Sequence, residues 1–111
     1  MDAQPASSAP SLEALLAQLG PAQHMLDFYE ARLGTLREYD ARHRADLIRT
    51  LEAYFSAGGS LAATAALLRT HRNTVLYRLR RIETLARARL RDPQVALEMQ
   101  VALRIGAALN R

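Results

Sequence analysis

The stretch of residues 58–82 constrains the fold more than any other part of the chain, because it holds two helical patterns separated by a few polar residues. Gly58 and Gly59 end the preceding segment, and Ser60 is a favourable N-cap for a short helix over about residues 61–68. That helix contains small residues that let another helix approach its backbone closely: Ala62, Ala65 and Ala66. The pattern predicts a short helix, a tight turn and a second helix packed against the first.

The second pattern, over about residues 71–86, has two chemically different sides. Apolar residues recur with helical spacing and form one stripe: Val75, Leu79, Ile82 and Ala86. The opposite side is polar and contains arginine: Asn73, Tyr77, Arg80, Arg81 and Thr84. A short helix of small residues, a tight turn and a helix with an arginine-rich outer side are typical of a helix-turn-helix that binds DNA.

The same residues resemble a known family. Three strings carry the resemblance: Leu61-Ala62-Ala63-Thr64-Ala65, His71-Arg72-Asn73-Thr74-Val75 and Tyr77-Arg78-Leu79-Arg80-Arg81-Ile82-Glu83. They are similar to the C-terminal helix-turn-helix domain of PucR/CdaR-type bacterial transcriptional regulators and, more distantly, to the Fis-type helix-turn-helix. The similarity covers about residues 28–104. Two positions depart from the family pattern, since Arg69-Thr70 replaces the usual apolar anchor of the turn and Arg87 stands where glycine is common.

The resemblance implies the output domain of a bacterial transcription regulator that binds double-stranded DNA at specific sequences as part of a homodimer. Regulators of this type place the domain after a larger sensory region. Nothing similar to such a region precedes Phe28, so we expect the upstream sensory domain to be absent from this chain.

The expected DNA contacts lie on the second helix of the pair. Its first turn is the part that a helix-turn-helix inserts deepest into the major groove, where arginine can pair with guanine and asparagine with adenine. The family resemblance favours these contacts, with the first four ranked ahead of the rest: Arg72, Asn73, Tyr77, Arg80, His71, Thr74 and Arg81. The alternative for Thr70, His71 or Asn73 is a structural role as the cap of this helix. After this helix, Arg87, Arg89 and Arg91 are expected either to contact phosphates or to make no contact with DNA, rather than to read bases.

The charge distribution supports a polyanionic partner. All 15 basic residues are arginine, and the net charge is +4. Residues 69–91 hold eight arginines against one acid, whereas residues 1–68 carry a net negative charge. One alternative is a helical protein-interaction module that docks an acidic partner through the arginine-rich side. An RNA partner is disfavoured because the major groove of A-form RNA is too narrow for a helix.

The remaining sequence predicts an all-α, compact multi-helix bundle. Residues 1–21 are expected to be a tail or linker with a short amphipathic helix capped by Ser11, and residues 22–111 the DNA-binding domain. Further helices are expected over about residues 22–33, ended by Gly34, over residues 44–57, and after Asp92-Pro93. The apolar stripe of the first helix is expected to fold back on the core, with a dimerisation arm or a connection to an upstream domain as the alternatives: Leu12, Leu15, Leu16 and Leu19. The favoured homodimer interface is the stripe of the last helix, widened by Met99, Ala102 and Leu103: Leu97, Val101, Ile105 and Leu109.

Composition argues against other classes. Cysteine is absent, and the three histidines are too scattered for a metal pair, so we expect no enzyme, no metal and no cofactor. No apolar run approaches the roughly 20 residues that span a bilayer, and no signal peptide is recognisable, so a cytoplasmic location is expected.

Overall fold

The computed structural model describes residues 10–109, so the first nine residues of the tail expected over residues 1–21 lie outside the described region. Six helices follow one another along the chain: α1 (Leu12–Gln18), α2 (Ala22–His43), α3 (Leu47–Ser56), α4 (Leu61–Leu68), α5 (Arg72–Ala86) and α6 (Pro93–Ala108). Residues 10–109 contain no strand. The predicted all-α class is confirmed.

The long helix α2 is the scaffold of the fold. It packs against α3, α5 and α6, while α4 packs against α3 and α5, and α1 lies on α6. The centre of the core is made of fully buried aliphatic side chains from three helices: Leu33 and Leu36 of α2, Leu47 and Leu51 of α3, and Val75 and Ile82 of α5. The two helices of the predicted helix-turn-helix are therefore held on a platform formed by α2 and α3.

The prediction that Gly34 ends a helix is wrong, because α2 continues through it to His43. A Cβ atom at Gly34 would come within 2.7 Å of the Glu30 carboxylate, whose two oxygens accept hydrogen bonds from Arg37 at 2.7 Å. Glycine in a helix costs only about 1 kcal/mol, and burial of the neighbouring leucines outweighs that cost. The glycine leaves room for the ion pair instead of breaking the helix.

The sequence predicts that this helix begins near Arg44, but α3 begins at Leu47. Arg44 and Asp46 both have left-handed backbone conformations, with φ of 50° and 58°, so the chain turns sharply before α3. The Asp40 carboxylate of α2 accepts hydrogen bonds from the backbone N–H groups of Leu47 at 2.7 Å and Ile48 at 3.0 Å. The cap of α3 thus comes from another helix.

Helix α6 begins where the sequence predicts, with Asp92 as N-cap and Pro93 as its first residue. Its buried side consists of Met99, Ala102, Ile105 and Gly106, so Ile105 is the one member of the predicted stripe that is buried. Gly106 lies against Tyr29, since an added Cβ would approach Cε1 of that ring to 2.6 Å. Leu97 is left 57% exposed.

Helix α1 is capped by Ser11 as predicted, and Leu16 packs against the core. The other three leucines of its stripe stay exposed: Leu12, Leu15 and Leu19. None of the helices within residues 10–109 has the length and apolar content required to cross a membrane.

Candidate nucleic-acid interface

Helices α4 and α5 form a tightly connected pair. The Ser60 hydroxyl accepts a hydrogen bond from the Ala63 N–H at 3.1 Å and so caps α4. At the other end of α4, Arg69 is left-handed with φ 53°, and the Thr70 N–H donates to the Ala65 carbonyl at 3.0 Å. This is the Schellman arrangement, which usually has glycine at the position of Arg69. Arginine tolerates that backbone here and adds a positive charge at the helix C-terminus, where the helix dipole favours one.

The pair is packed through small and aliphatic residues. Thr64, Ala65 and Leu68 of α4 are buried, and α4 packs against α5, with Ala65 and Leu68 in the same core cluster as Val75 and Leu79. The close approach that the alanine-rich sequence predicts is therefore present at Ala65. Ala62 and Ala66 are exposed.

Helix α5 separates a core side from a solvent side, as its sequence predicts. Val75, Leu79 and Ile82 are buried. On the opposite side the structure leaves exposed three of the residues predicted to contact DNA: Asn73, Tyr77 and Arg80.

The N-terminus of α5 is capped by His71. Its Nδ1 accepts a hydrogen bond from the Asn73 backbone N–H at 3.0 Å, so Nε2 carries the ring proton and remains a donor. Neither Thr70 nor Asn73 supplies this cap, and the Asn73 and Arg72 side chains are exposed without a hydrogen-bond partner among residues 10–109. Thr74 is half-buried. The Arg72 and Asn73 side chains, two of the strongest candidates for base contacts, are thus exposed to solvent and available to bind a ligand.

Arg81 differs from the other arginine candidates, Arg72 and Arg80, because its guanidinium is hydrogen-bonded within the protein. Its Nη2 donates to the Tyr77 hydroxyl at 2.9 Å, and its Cζ lies 5.6 Å from the ring centroids of both Tyr77 and Tyr39. The hydrogen bond from Arg81 to Tyr77 is the main cause that raises the pKa of this guanidinium above its usual value. Tyr39, on α2, joins the site and was not predicted from the sequence.

Arg78 connects α5 to the platform. Its Nη1 donates to the Thr50 hydroxyl at 3.4 Å, and this buried hydroxyl in turn donates to the Asp46 carbonyl at 2.7 Å. The contact crosses from α5 to α3 and fixes the orientation of the exposed side of α5.

The segment of residues 87–91, called here the arginine loop, follows α5 directly. Arg87 is left-handed with φ 55°, and the Ala88 N–H donates to the Glu83 carbonyl at 3.2 Å, which makes a second Schellman arrangement. Arg87, which stands where the family usually has glycine, therefore adopts the left-handed conformation that ends α5. Arg87, Arg89 and Arg91 are all exposed.

A tightly turned helix pair whose second helix exposes an arginine-rich side defines a helix-turn-helix domain, the class that transcription regulators use to bind DNA. The chain belongs to the family of the PucR C-terminal helix-turn-helix domain, whose model matches residues 47–105. The family resemblance seen in the sequence is confirmed.

Three relatives illustrate the similarity. The Purine catabolism regulatory protein of Bacillus subtilis (strain 168) is 34% identical over 90 residues, which cover 81% of this chain and 17% of that protein. The DNA-binding transcriptional activator AdeR of the same organism is 34% identical over 64 residues, covering 58% of this chain and 15% of AdeR. An uncharacterised protein of Thermomonospora curvata is 39% identical over 92 residues, covering 78% of this chain and 51% of its own length.

The chain thus spans less than a fifth of the length of either Bacillus subtilis relative, at 17% and 15%. No solved structure matches it. The individual DNA contacts expected from the sequence are tested by none of these comparisons, and they stay predictions: His71, Arg72, Asn73, Thr74, Tyr77, Arg80 and Arg81.

Proposed function

We propose that this chain binds double-stranded DNA at specific sequences, as the output domain of a bacterial transcription regulator. The observation that carries the proposal is the exposed side of α5, where the Arg72 and Asn73 side chains lie next to each other in the first turn with no partner among the described residues. Arginine can hydrogen-bond with guanine and asparagine with adenine when the N-terminus of a helix enters the major groove, which supports base contacts by these two side chains.

The other contacts follow from their position along α5. Tyr77 and Arg80 lie on the same exposed side, one and two turns further from the N-terminus. His71 caps the first turn and Thr74 lies within it, so both side chains would be close to DNA that the N-terminus of α5 approaches. Arg81 acts through Tyr77, to which it is hydrogen-bonded.

The charge of this region supports the same proposal. Eight arginines against one acid lie between residues 69 and 91, so the helix pair and the arginine loop carry most of the positive charge of the chain. Such a surface attracts the phosphates of any duplex, and base contacts then add preference for one sequence.

We further propose that the domain acts as a homodimer. A single helix-turn-helix reads only a few base pairs, and two copies span half-sites about 34 Å apart. The apolar side chains left exposed on α1 and α6 support an interface on that side of the domain: Leu12, Leu15, Leu19 and Leu97. Helix α6 packs mainly on α2, and α1 on α6, so pairing through their exposed side chains would leave α5 of both copies available for DNA.

The regulator that contains this domain is proposed to include a sensory region outside this chain. The greater length of the two Bacillus subtilis relatives, of which the chain covers 17% and 15%, supports this proposal. DNA binding by the chain itself requires no such region, because the whole helix pair and its platform lie within residues 10–109.

The alternative is a protein-interaction module in which the arginine-rich side docks an acidic partner. Selection from a library of random-sequence duplexes, with the full chain immobilised, distinguishes the two. Enrichment of one sequence motif, called below the preferred duplex, is the expected result. Retention of all sequences equally would favour the interaction module and reject specific DNA binding.

A further inference from the structure

Four arginines surround one open groove at the C-terminal end of α5. Its volume is about 1140 Å³, and its basic lining consists of Arg80, Arg87, Arg89 and Arg91. Within residues 10–109, none of these guanidinium groups makes a hydrogen bond or an ion pair. Like charges around one groove repel each other, so the arrangement is electrostatically unfavourable until an anion enters it.

The two acids that line the same groove are already occupied. Glu83 Oε2 accepts a hydrogen bond from the Leu90 backbone N–H at 2.8 Å. Asp92 Oδ1 caps α6 by accepting from the N–H groups of Gln94 at 2.9 Å and Val95 at 3.4 Å. Both carboxylates shape the backbone and neither forms an ion pair with an arginine among the described residues, so the four arginines outnumber the two acids and leave the groove with a net positive charge.

The arginine loop is fixed in place by these contacts. Leu90 is inserted into the core, with 6% of its surface exposed, and its N–H is held by Glu83. The Asp92 N–H donates to the Arg89 carbonyl at 3.1 Å. A loop that is ordered before binding loses little conformational freedom when its ligand arrives. The residues on either side of Leu90, namely Arg89 and Arg91, are directed to solvent.

The groove is continuous with the surface that is proposed to read bases. Arg80 belongs both to the groove and to the exposed side of α5 with Asn73 and Tyr77. Helix α5 has 15 residues and is therefore about 22 Å long. When the first turn contacts base edges, the arginine loop at the far end of α5 lies about 20 Å away along the helix, outside the base pairs that the first turn reads.

We propose that the arginine loop binds the phosphate backbone of the same duplex, outside the base pairs that α5 reads. The proposal rests on the proposed function, since the duplex must first be bound by α5. Phosphate contacts carry no base information, so the loop raises affinity for every sequence and sets the length of duplex that the domain requires. It makes no contribution to the choice of sequence.

The test compares the wild-type chain with the triple variant Arg87→Gln/Arg89→Gln/Arg91→Gln, by fluorescence anisotropy at several salt concentrations. The probes are the preferred duplex cut to the selected base pairs and the same duplex with flanks on both sides. For the wild type, removing the flanks should weaken binding about 10-fold, and the triple variant should bind both probes alike. Its slope of log affinity against log salt should be smaller by about 2 to 3, because each lost phosphate contact removes about 0.9.

Two controls isolate the loop. Arg104→Gln removes an exposed arginine about three turns along α6 from Pro93 and should leave the flank dependence unchanged. The single variant Arg89→Gln should reduce the magnitude of the slope of log affinity against log salt by about 1. It replaces the triple variant in the test if the triple variant does not fold.

Two outcomes contradict the proposal, and they differ in what else they reject. A triple variant with the wild-type salt slope and the wild-type flank dependence would overturn the role of the loop alone. Failure of the wild type to bind any duplex would overturn this proposal together with the proposed function.

Discussion

Arg81 and Tyr77 form a hydrogen-bonded pair on the exposed side of α5, with Nη2 donating to the tyrosine hydroxyl at 2.9 Å. The Arg81 guanidinium also lies 5.6 Å from the ring of Tyr39, so it connects the tyrosine to α2. Tyr77 is 59% exposed and its hydroxyl proton is free for a second bond, since the oxygen acts as acceptor towards Arg81. Arg81 therefore positions Tyr77, whose hydroxyl stays accessible to solvent.

The first prediction tests this connection at Tyr39, a residue of α2 outside the recognition helix. Tyr39→Leu removes the ring beside Arg81, and a cation–π contact of about 0.5–1 kcal/mol corresponds to a loss of about 2- to 5-fold in affinity for the preferred duplex. Tyr39→Phe keeps the ring and should bind like the wild type. Anisotropy titrations of both variants provide the measurement, with circular dichroism melts as the check on folding. Wild-type affinity in Tyr39→Leu would show that Arg81 needs no support from α2.

The second prediction concerns the cap that α2 supplies to α3. Asp40→Ala removes both acceptors of the Leu47 and Ile48 N–H groups and should lower the free energy of unfolding by about 1–2 kcal/mol. The matched control is Asp46→Asn, because Asp46 occupies the N-cap position but makes no side-chain cap bond. Urea denaturation measures both. Equal effects of the two substitutions would contradict the assignment of Asp40 as the cap.

The parts of the fold that follow from local signals were predictable from the sequence. Ser60, the spacing from Val75 to Ile82, and Asp92 followed by Pro93 each act within a few residues, and the structure has helices where they predict them. The exposed side of α5 could be derived in the same way, because a helix with one apolar stripe exposes the residues opposite to it.

The parts that depend on distant residues could not be derived. Gly34 is tolerated within α2 because Leu33 and Leu36 beside it are buried, and it leaves room for the Glu30–Arg37 pair. The start of α3 depends on Asp40. The buried side of α6 depends on the side chains of α2 that it packs against, since the Tyr29 ring lies against Gly106. For the same reason, the contact between Tyr39 and Arg81 in the site could not be predicted, because the two residues come together only in the folded chain.

The third prediction is a pH dependence of stability at the contact between α2 and α6. The Gln94 side-chain amide and the Arg32 guanidinium hold the pKa of Glu98 below its usual value. A carboxylate whose pKa is lower in the folded state stabilises the fold above its unfolded pKa, and this contribution is lost as the pH falls through the folded value. Glu98→Gln should therefore melt lower than the wild type at neutral pH, and the difference should disappear in acid.

The partner variant is the control for this effect. In a double-mutant cycle, Arg32→Gln should reduce the pH-dependent effect of Glu98→Gln, because it removes one of the two bonds to the carboxylate. Melting temperatures measured from neutral to acid pH give the answer. A Glu98→Gln difference that stays constant over this range would contradict the stated cause.

The fourth prediction concerns the proposed homodimer. Leu97→Glu places a charge on the exposed side of α6 and should convert a dimer into a folded monomer, as measured by sedimentation equilibrium at micromolar concentration. Leu67→Glu is the matched control, since Leu67 is equally exposed at 58% but lies on α4. Ile105 is buried and unsuitable for this test. A wild type that remains monomeric would remove α1 and α6 as the interface.

The central claim is that the first turn of α5 reads bases, and one ratio tests it most directly. This ratio compares the dissociation constant for a scrambled duplex with that for the preferred duplex of the same length, for the wild type and for Arg72→Ala. The wild type should prefer the selected sequence, and Arg72→Ala should lose about 1–3 kcal/mol on it with a much smaller loss on the scrambled duplex. The ratio therefore falls towards one in the variant. Equal affinity of the wild type for both duplexes, or an unchanged ratio in Arg72→Ala, would contradict the account.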